Sequence, residues 1–402
     1  MSNLNLIPIG KLFDLEKGSL QSSKCTEGEY TFITAAEEWK THNEYSHECE
    51  ALIFAAAASG SLGRTHYIND KFITSDLCFI LTPKDSKKYP INLKFYHFVF
   101  NSLKDEIVKN TKSGTSKESI NQSNLRNYEI PYFEIDKQNL WIDKLVNTKS
   151  IKEDLELELS TGQSLLKQLK QTILQEAIEG KLTEKWRVKN PDIGTAKELL
   201  EQIKTEKEKL IKEKKIRPSK PLSPINEDEI PFDIPPSWEW CRLGDIANGF
   251  QYGTSTKSKI NGRVPVLRMG NIQNGRVLLE ELVYTDNESE IEKYSIEYND
   301  LLFNRTNSRE LVGKTAIYSF QEKAIYAGYL IKYSMILSNS HYINYVMNSP
   351  FHYQWCAKVR SDAIGQSNIN ATKLQSYIVP LPPLEEQKEI VATIEKLFTL
   401  CN

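Results

Sequence analysis

The amino-acid sequence predicts a mixed α/β (α+β) chain of two similar domains, related by a pseudo-two-fold axis and separated by long antiparallel helices of coiled-coil character. Three observations lead there. Short motifs recur in the same order in both halves, apolar residues keep helical spacing between and after the mixed regions, and strand-like runs broken by Gly, Ser and Asn fill the rest. A length of 402 residues with 40% hydrophobic side chains is enough for two or three cored domains.

The first mixed domain spans 1–145. Its runs Tyr30-Thr31-Phe32-Ile33-Thr34, Ala51-Leu52-Ile53-Phe54 and Cys78-Phe79-Ile80-Leu81 have the β-branched and aromatic content of short strands. A helical region follows over 146–217. Leu155, Leu159, Gly162, Leu166, Leu169 and Ile173 advance in steps of four and three along one seam, and Gly180 suits the left-handed position that ends a helix. The Glu/Lys-rich stretch from Thr195 to Ile216 has one narrow apolar face, and Arg217-Pro218 stops it. Six prolines without apolar periodicity predict a linker over 218–236. The second mixed domain occupies 237–380, with strand-like Val264-Pro265-Val266-Leu267, Leu301-Leu302-Phe303 and Leu330-Ile331-Lys332-Tyr333. After it, Leu384, Val391, Ile394 and Phe398 mark a second, shortened helical region over 381–402.

The repeat is collinear. Ile9-Gly10-Lys11-Leu12 matches Leu243-Gly244-Asp245-Ile246, Leu52-Ile53-Phe54 matches Leu301-Leu302-Phe303, and Gly63-Arg64-Thr65 matches Gly313-Lys314-Thr315. Gln122-Ser123-Asn124 with Tyr128 and Pro131 mirrors Gln366-Ser367-Asn368 with Tyr377 and Pro380. Antiparallel packing of the helices would relate the domains by a pseudo-two-fold axis. Duplex DNA has local two-fold axes of its own, and a helix of about 28 residues, on the order of 40 Å long, is comparable to one DNA turn.

Charge excludes a global pull on polyanions: 51 basic residues face 53 acidic ones, for a net charge of −2, so any nucleic-acid site is a local patch. Six cysteines without a Cys-x-x-Cys argue against a disulfide framework, a zinc cluster and a redox centre, and a reducing cytoplasm fits them. No uncharged apolar run approaches the roughly 18–20 residues of a membrane span, so no membrane association is expected.

Three stretches carry a family likeness. They are Gly365-Gln366-Ser367-Asn368-Ile369 followed by Val379-Pro380-Leu381-Pro382-Pro383-Leu384-Glu385-Glu386-Gln387, the run Ile173-Leu174-Gln175-Glu176-Ala177-Ile178-Glu179-Gly180-Lys181-Leu182, and Pro235-Pro236-Ser237-Trp238-Glu239-Trp240. Together they resemble the specificity subunit of Type I restriction-modification systems across nearly the whole chain. The resemblance implies two target-recognition domains, each reading one half of a bipartite double-stranded DNA target. It implies helices that set the spacing and dock methyltransferase subunits, two in number, with motor-nuclease subunits joining the full complex. It also implies a subunit with no catalytic centre and no cofactor of its own, S-adenosylmethionine belonging to the partner methyltransferase of a DNA adenine methyltransferase/endonuclease complex.

Reading DNA calls for cations at phosphates and for Arg, Asn or Gln at base edges. The best cluster is Asn304, Arg305, Thr306, Asn307 and Arg309, on a loop leaving a strand and closed by Lys314. Gln251, Tyr252, Thr254 and Lys257 lie in a Gly- and hydroxyl-rich stretch that offers donors to phosphate, and Arg268 and Asn271 follow the next strand, to reach bases or to brace the loop. In the first half the corresponding loop is nearly uncharged, with Ser59, Ser61 and Arg64, and Lys112 belongs to a phosphate-facing stretch with Lys109, Ser113, Thr115 and Lys117. Gln122, Ser123, Gln366 and Ser367 belong to elements common to both halves, suited to a helix cap or a phosphate contact.

Two other classes remain open on the residues alone: a stand-alone DNA-modifying enzyme and a helical protein-interaction adaptor. Asn348-Ser349-Pro350-Phe351 and Ile234-Pro235-Pro236-Ser237 each miss one position of the Asp/Asn/Ser-Pro-Pro-aromatic loop of an amino-methyltransferase, and the six histidines show no paired ligand spacing.

Overall fold

The computed structural model describes residues 5–57, 60–113 and 118–401, in two compact units, Met1–Leu159 and Ser160–Asn402. In the first unit a six-stranded sheet runs in the order Phe13–Lys17, Cys78–Pro83, His47–Ala55, Thr65–Thr74, Tyr30–Ile33, Lys40–His42. All neighbours are antiparallel except Tyr30–Ile33 beside Thr65–Thr74. The central strand alternates, as a period of two requires. Leu52 and Phe54 pack on one face with Phe13, Tyr96 and Phe100, while Ala51, Ile53 and Ala55 pack on the other with Ile33, Phe72 and Ile80.

The second unit repeats this plan. Its six-stranded sheet runs Gln251–Tyr252, Leu330–Tyr333, Leu301–Asn304, Thr315–Ile317, Gly275–Val277, Ile272–Gln273, and the one parallel pair is again the fourth with the fifth strand. Leu301 and Phe303 face one core and Leu302 the other.

Matching details extend to single hydrogen bonds. Strand Leu6–Pro8 pairs antiparallel with Glu129–Pro131, and Glu239–Arg242 pairs with Ile378–Leu381. A short helical turn follows each first strand, fixed by Ile9 N–H donating to Tyr128 O at 2.8 Å and by Leu243 N–H donating to Tyr377 O at 2.7 Å. In both units a fully buried glutamine near the start of a helix joins three segments. Gln138 accepts from Asn92 N–H at 2.7 Å and donates to Phe133 O at 2.6 Å; Gln387 accepts from Asn339 N–H at 2.8 Å and donates to Pro382 O at 2.8 Å.

These bonds correct one register drawn from sequence. Asn121 caps helix Gln122–Asn127 and Asn370 caps helix Ala371–Gln375, so Asn121, Leu125, Tyr128, Pro131 and Gln138 correspond without a gap to Asn370, Leu374, Tyr377, Pro380 and Gln387. The two Gln-Ser-Asn strings are therefore not equivalent. Gln122 and Ser123 open a helix, whereas Gln366 and Ser367 lie in a strand.

The long helix runs 44 residues, Ile135–Ile178, and begins before the expected boundary at 145. Its early turns carry exposed Leu140, Trp141 and Val146, so no amphipathic period announced them. Gly180, at φ +74°, ends it. The expected seam is buried only at its end: Ile173 is 7% exposed, but Leu155, Leu159, Leu166 and Leu169 are 63%, 61%, 44% and 47% exposed. Helix Leu384–Leu400 explains the limit. Arg187 and Thr183 contact Glu386 near its start, and Lys170 lies over the Phe398 ring near its end, so the two helices run antiparallel only along Ile173–Ile178 and its neighbours.

The proline-rich stretch is also not a free linker. Leu222 lines a cavity of about 700 Å³ beside Trp240 and helix Ala196–Lys212, and Ile225, Phe232 and Ile234 pack on the core of the second unit. Arg242 ties the stretch down, donating to Ser223 O, Pro224 O and both Glu229 carboxylate oxygens. That bidentate partner and the Asn226 amide hold the Glu229 carboxyl well below its ordinary range, at about 2.

Replacing Gln387 by Leu strands the Asn339 N–H and is expected to lower stability by about 1–3 kcal/mol, measured by urea unfolding; Gln138→Leu is expected to do the same through Asn92.

Candidate nucleic-acid interface

One β-hairpin connection recurs at the centre of each sheet. In the second unit Asn304 N–H donates to Lys314 O at 2.8 Å and Gly313 N–H donates to Asn304 O at 2.9 Å. In the first, Ala55 N–H donates to Arg64 O and Gly63 N–H to Ala55 O, both at 2.8 Å. Gly63 and Gly313 both take positive φ, +77° and +92°, at the turn back into the sheet, where a side chain would be strained and crowded. An asparagine holds each returning strand, Asn101 from helix Leu93–Ser102 and Asn348 from the turn after helix Ser340–Val346. Asn101 donates to Thr65 O at 2.9 Å and His97 O at 2.9 Å, and Asn348 to Thr315 O at 3.2 Å and Asn344 O at 2.8 Å.

The frame is the same and the contents differ. Between Ala55 and Gly63 the first loop is small and apolar, whereas between Asn304 and Gly313 the second carries Arg305 and Arg309. The Arg305 guanidinium stacks 4.8 Å over the Tyr252 ring, and the Tyr252 hydroxyl accepts from Ala371 N–H at 2.9 Å. Strand Thr306–Asn307 pairs with Gln366–Asn368, which pairs with Ser361–Ala363 in a small three-stranded sheet. Within it Asp362 accepts from the Ser367 hydroxyl and lies 3.1 Å from Arg309 Nε and 3.2 Å from Arg360 Nε, and these partners hold its carboxyl below the usual range. Lys373 joins the cluster by donating to Ser361 Oγ at 2.9 Å.

Beneath the loop, His352 is fully buried and its Nε2 lies 2.9 Å from Gly313 O. A carbonyl only accepts, so Nε2 carries the proton. Burial holds the imidazole neutral, with its pKa lowered to about 4.

Residues 1–160 and 235–402 match the Type I restriction modification DNA specificity domain. The chain belongs to this family. It is 33% identical over 256 residues to the Type I restriction enzyme EcoAI specificity subunit of Escherichia coli, a match covering 61% of this chain and 42% of that protein. The EcoEI specificity subunit of Escherichia coli is 30% identical over the same shares of the two chains. The chain thus spans less than half the length of these curated relatives. Two solved structures share the fold: a chain from a type I R-M system assembly, with TM-score 0.63, 14% identity and 100% and 91% of the two chains covered, and the HsdS subunit from Thermoanaerobacter tengcongensis, with TM-score 0.56, 14% identity and 100% and 90% covered.

Within this specificity-domain fold the residues expected from sequence divide. Arg305, Arg309, Tyr252, Asn307 and Gln366 come together around the second loop, and Lys257 is exposed on its own stretch. Five others are corrected: they lie in the interior, and four of these act as braces. Asn304 is 0% exposed, Thr306 accepts from Asn368, Ser367 bonds Asp362, Asn271 donates to Leu278 O and Glu280 O, and Thr254 bonds Glu290. Gln251 and Arg268 are likewise engaged, the first with Lys293 O and Tyr326, the second with Glu281 O. Lys314 donates to Gln273 Oε1 at 2.8 Å, and burial pushes its pKa down.

In the first unit Arg64 is turned toward Ala35 O, Ser61 Oγ and Glu37. Gln122 donates to Leu15 O, Lys112 pairs with Glu118 at 2.7 Å, and Ser123 is exposed beside the Asn121 cap. Ser59 lies outside the described residues. Sequence reasoning missed Asn101, Asn348, His352, Arg360, Asp362 and Lys373. The repeated Asn-Ser pairs at Asn101-Ser102 and Asn348-Ser349 were a usable signal for two of them.

His352 sets a pH dependence. Its folded pKa of about 4 lies below the roughly 6.5 of an unfolded histidine, so the stability it contributes is complete above that value and is lost as pH falls toward 4. His66 and His97, also shifted down by burial, act in the same direction. The urea midpoint is therefore expected to fall between pH 6.5 and 4, and His352→Phe to make that fall shallower while lowering the midpoint at pH 7 through the lost Gly313 bond.

Proposed function

We propose that this chain is the sequence-reading, non-catalytic subunit of a Type I restriction-modification complex, each unit reading one half of a bipartite duplex target. The observation that carries the reading is the duplicated hairpin frame with divergent contents. Identical backbone bonds and matching asparagine clamps hold a small, nearly uncharged loop in one unit and an Arg-bearing loop in the other. A fixed scaffold that varies only its loop is what two different base sequences require. Membership of the specificity-domain family supports the same reading.

On this reading the second unit contacts DNA through Arg305 and Arg309, with Tyr252, Asn307, Gln366 and Lys257 around them. The first unit contributes Ser61, Arg64, Lys112 and Ser123. Methyltransferase subunits, two per chain, dock on the helices and bring S-adenosylmethionine, and motor-nuclease subunits join for cleavage. The assembly works in the cytoplasm.

Mapping methylated bases across the source genome is expected to reveal one motif in two parts with a fixed gap. Arg305→Ala with Arg309→Ala is expected to cost about 1–3 kcal/mol of discrimination per lost base contact, in one part of that motif only. Equal loss in both parts would contradict two independent readers. A salt titration separates this reading from a protein adaptor: duplex affinity should fall steeply with ionic strength while the preference for the mapped site persists.

A further inference from the structure

The second unit carries an apolar point on a charged base. Strands Ser361–Ala363 and Gln366–Asn368 form a hairpin closed by the Ala363/Gln366 pair, leaving Ile364-Gly365 as a two-residue turn with Gly365 at φ +79°. Ile364 is 105% exposed, so nothing in the described structure touches its side chain. Turns of this kind are ordinarily tipped by Asn, Asp or Gly, which water solvates well. A bare isoleucine there is unfavourable in water, and its branching at Cβ leaves it few rotamers, so it projects as a stiff point.

The hairpin beneath it is rigid. One edge is paired to Thr306–Asn307 of the Arg-bearing loop, Ser367 bonds Asp362 across the ladder, and Asp362 binds Arg309 and Arg360. Lys373 donates to Ser361 Oγ and Val359 O at the foot of the first strand. Three cations thus surround the foot, with Asp362 engaged among them and Glu310 within electrostatic reach of Arg309 and Arg360. Side chains that enter a base step have this combination: an aliphatic wedge, with cations behind it that can reach the flanking phosphates. The corresponding stretch of the first half, Gly114-Thr115-Ser116-Lys117, contains no apolar residue and lies outside the described residues.

We propose that Ile364 inserts as a wedge between adjacent base pairs of the half-site read by the second unit, unstacking one step and adding a shape-dependent component to its specificity. This rests on the DNA-reading proposal above and goes beyond it, since a wedge selects steps that unstack easily and not base edges.

The test uses the full chain with duplexes carrying the mapped site, 2-aminopurine being placed at successive positions of each half. Wild type is expected to raise the emission severalfold at one step of one half-site, as unstacking does. Ile364→Ala, harmless to folding because the residue is exposed, is expected to abolish that rise and weaken site binding about tenfold, with the salt slope unchanged. Ile364→Met is expected to keep most of both. If the wild-type chain prefers the site but gives no rise, or gives one that Ile364→Ala shares, the wedge is wrong while the DNA reading stands. An Ile364→Ala chain that behaves as wild type on duplex would assign the tip to a protein contact and overturn the wedge. Failure of the wild-type chain to prefer the site would remove the reading and the wedge together.

Discussion

The structure of each unit depends on one buried glutamine. Gln138 and Gln387 have no access to water, so each amide must find its partners inside the protein. Each does so by bridging the start of its own helix to the N-cap residue of another, Asn92 or Asn339, and to a carbonyl just ahead of its helix. That helix leaves a strand which pairs with the first strand of the unit, Glu129–Pro131 with Leu6–Pro8 and Ile378–Leu381 with Glu239–Arg242. Chain entry, chain exit and the helix that packs on the sheet are therefore fixed relative to one another by a few bonds that water cannot replace.

That closure frees the far end of the sheet to vary. The hairpin connection after Ala55 or Asn304 is held at its base by backbone bonds, by a glycine of positive φ, and by the side chain of Asn101 or Asn348. None of these depends on the side chains between. The intervening residues differ almost completely between the units while the frame stays the same, so recognition can diverge without disturbing the fold. His352 adds a second support under the Arg-bearing loop.

The duplication was legible in the sequence wherever the repeated element is buried and short. Leu52-Ile53-Phe54 and Gly63-Arg64-Thr65 matched their counterparts because core packing and positive φ leave few residues acceptable. Legibility failed where a short polar string matched by identity while its two copies lie in different elements, one a helix and one a strand. Gln122-Ser123-Asn124 looked like Gln366-Ser367-Asn368, yet the cap that defines the register is Asn121 against Asn370. It failed again along the long helix, whose seam leucines carried the right spacing although no neighbour buries them between Leu155 and Leu169. At the candidate site the Arg-bearing loop was visible, but nothing in the local sequence marks Asn304, Thr306 and Ser367 as interior. The burial of Thr306 and Ser367 is set by pairing between strands some sixty positions apart, and that of Asn304 by pairing with Leu330.

The nearly neutral net charge of −2 shapes how such a site can work. A chain with no overall attraction to phosphate gains little from sliding contacts, so its cations must be concentrated where they are used. Asp362 achieves part of that concentration. It gathers Arg309 and Arg360 at one hairpin and is held ionised by them and by Ser367. In the absence of a polyanion Asp362 offsets one of the two positive charges, which limits non-specific attraction. A phosphate arriving between the two guanidiniums would share them with a carboxylate already in place, so the gain in binding is largest only when the loop and the small sheet fit the groove together.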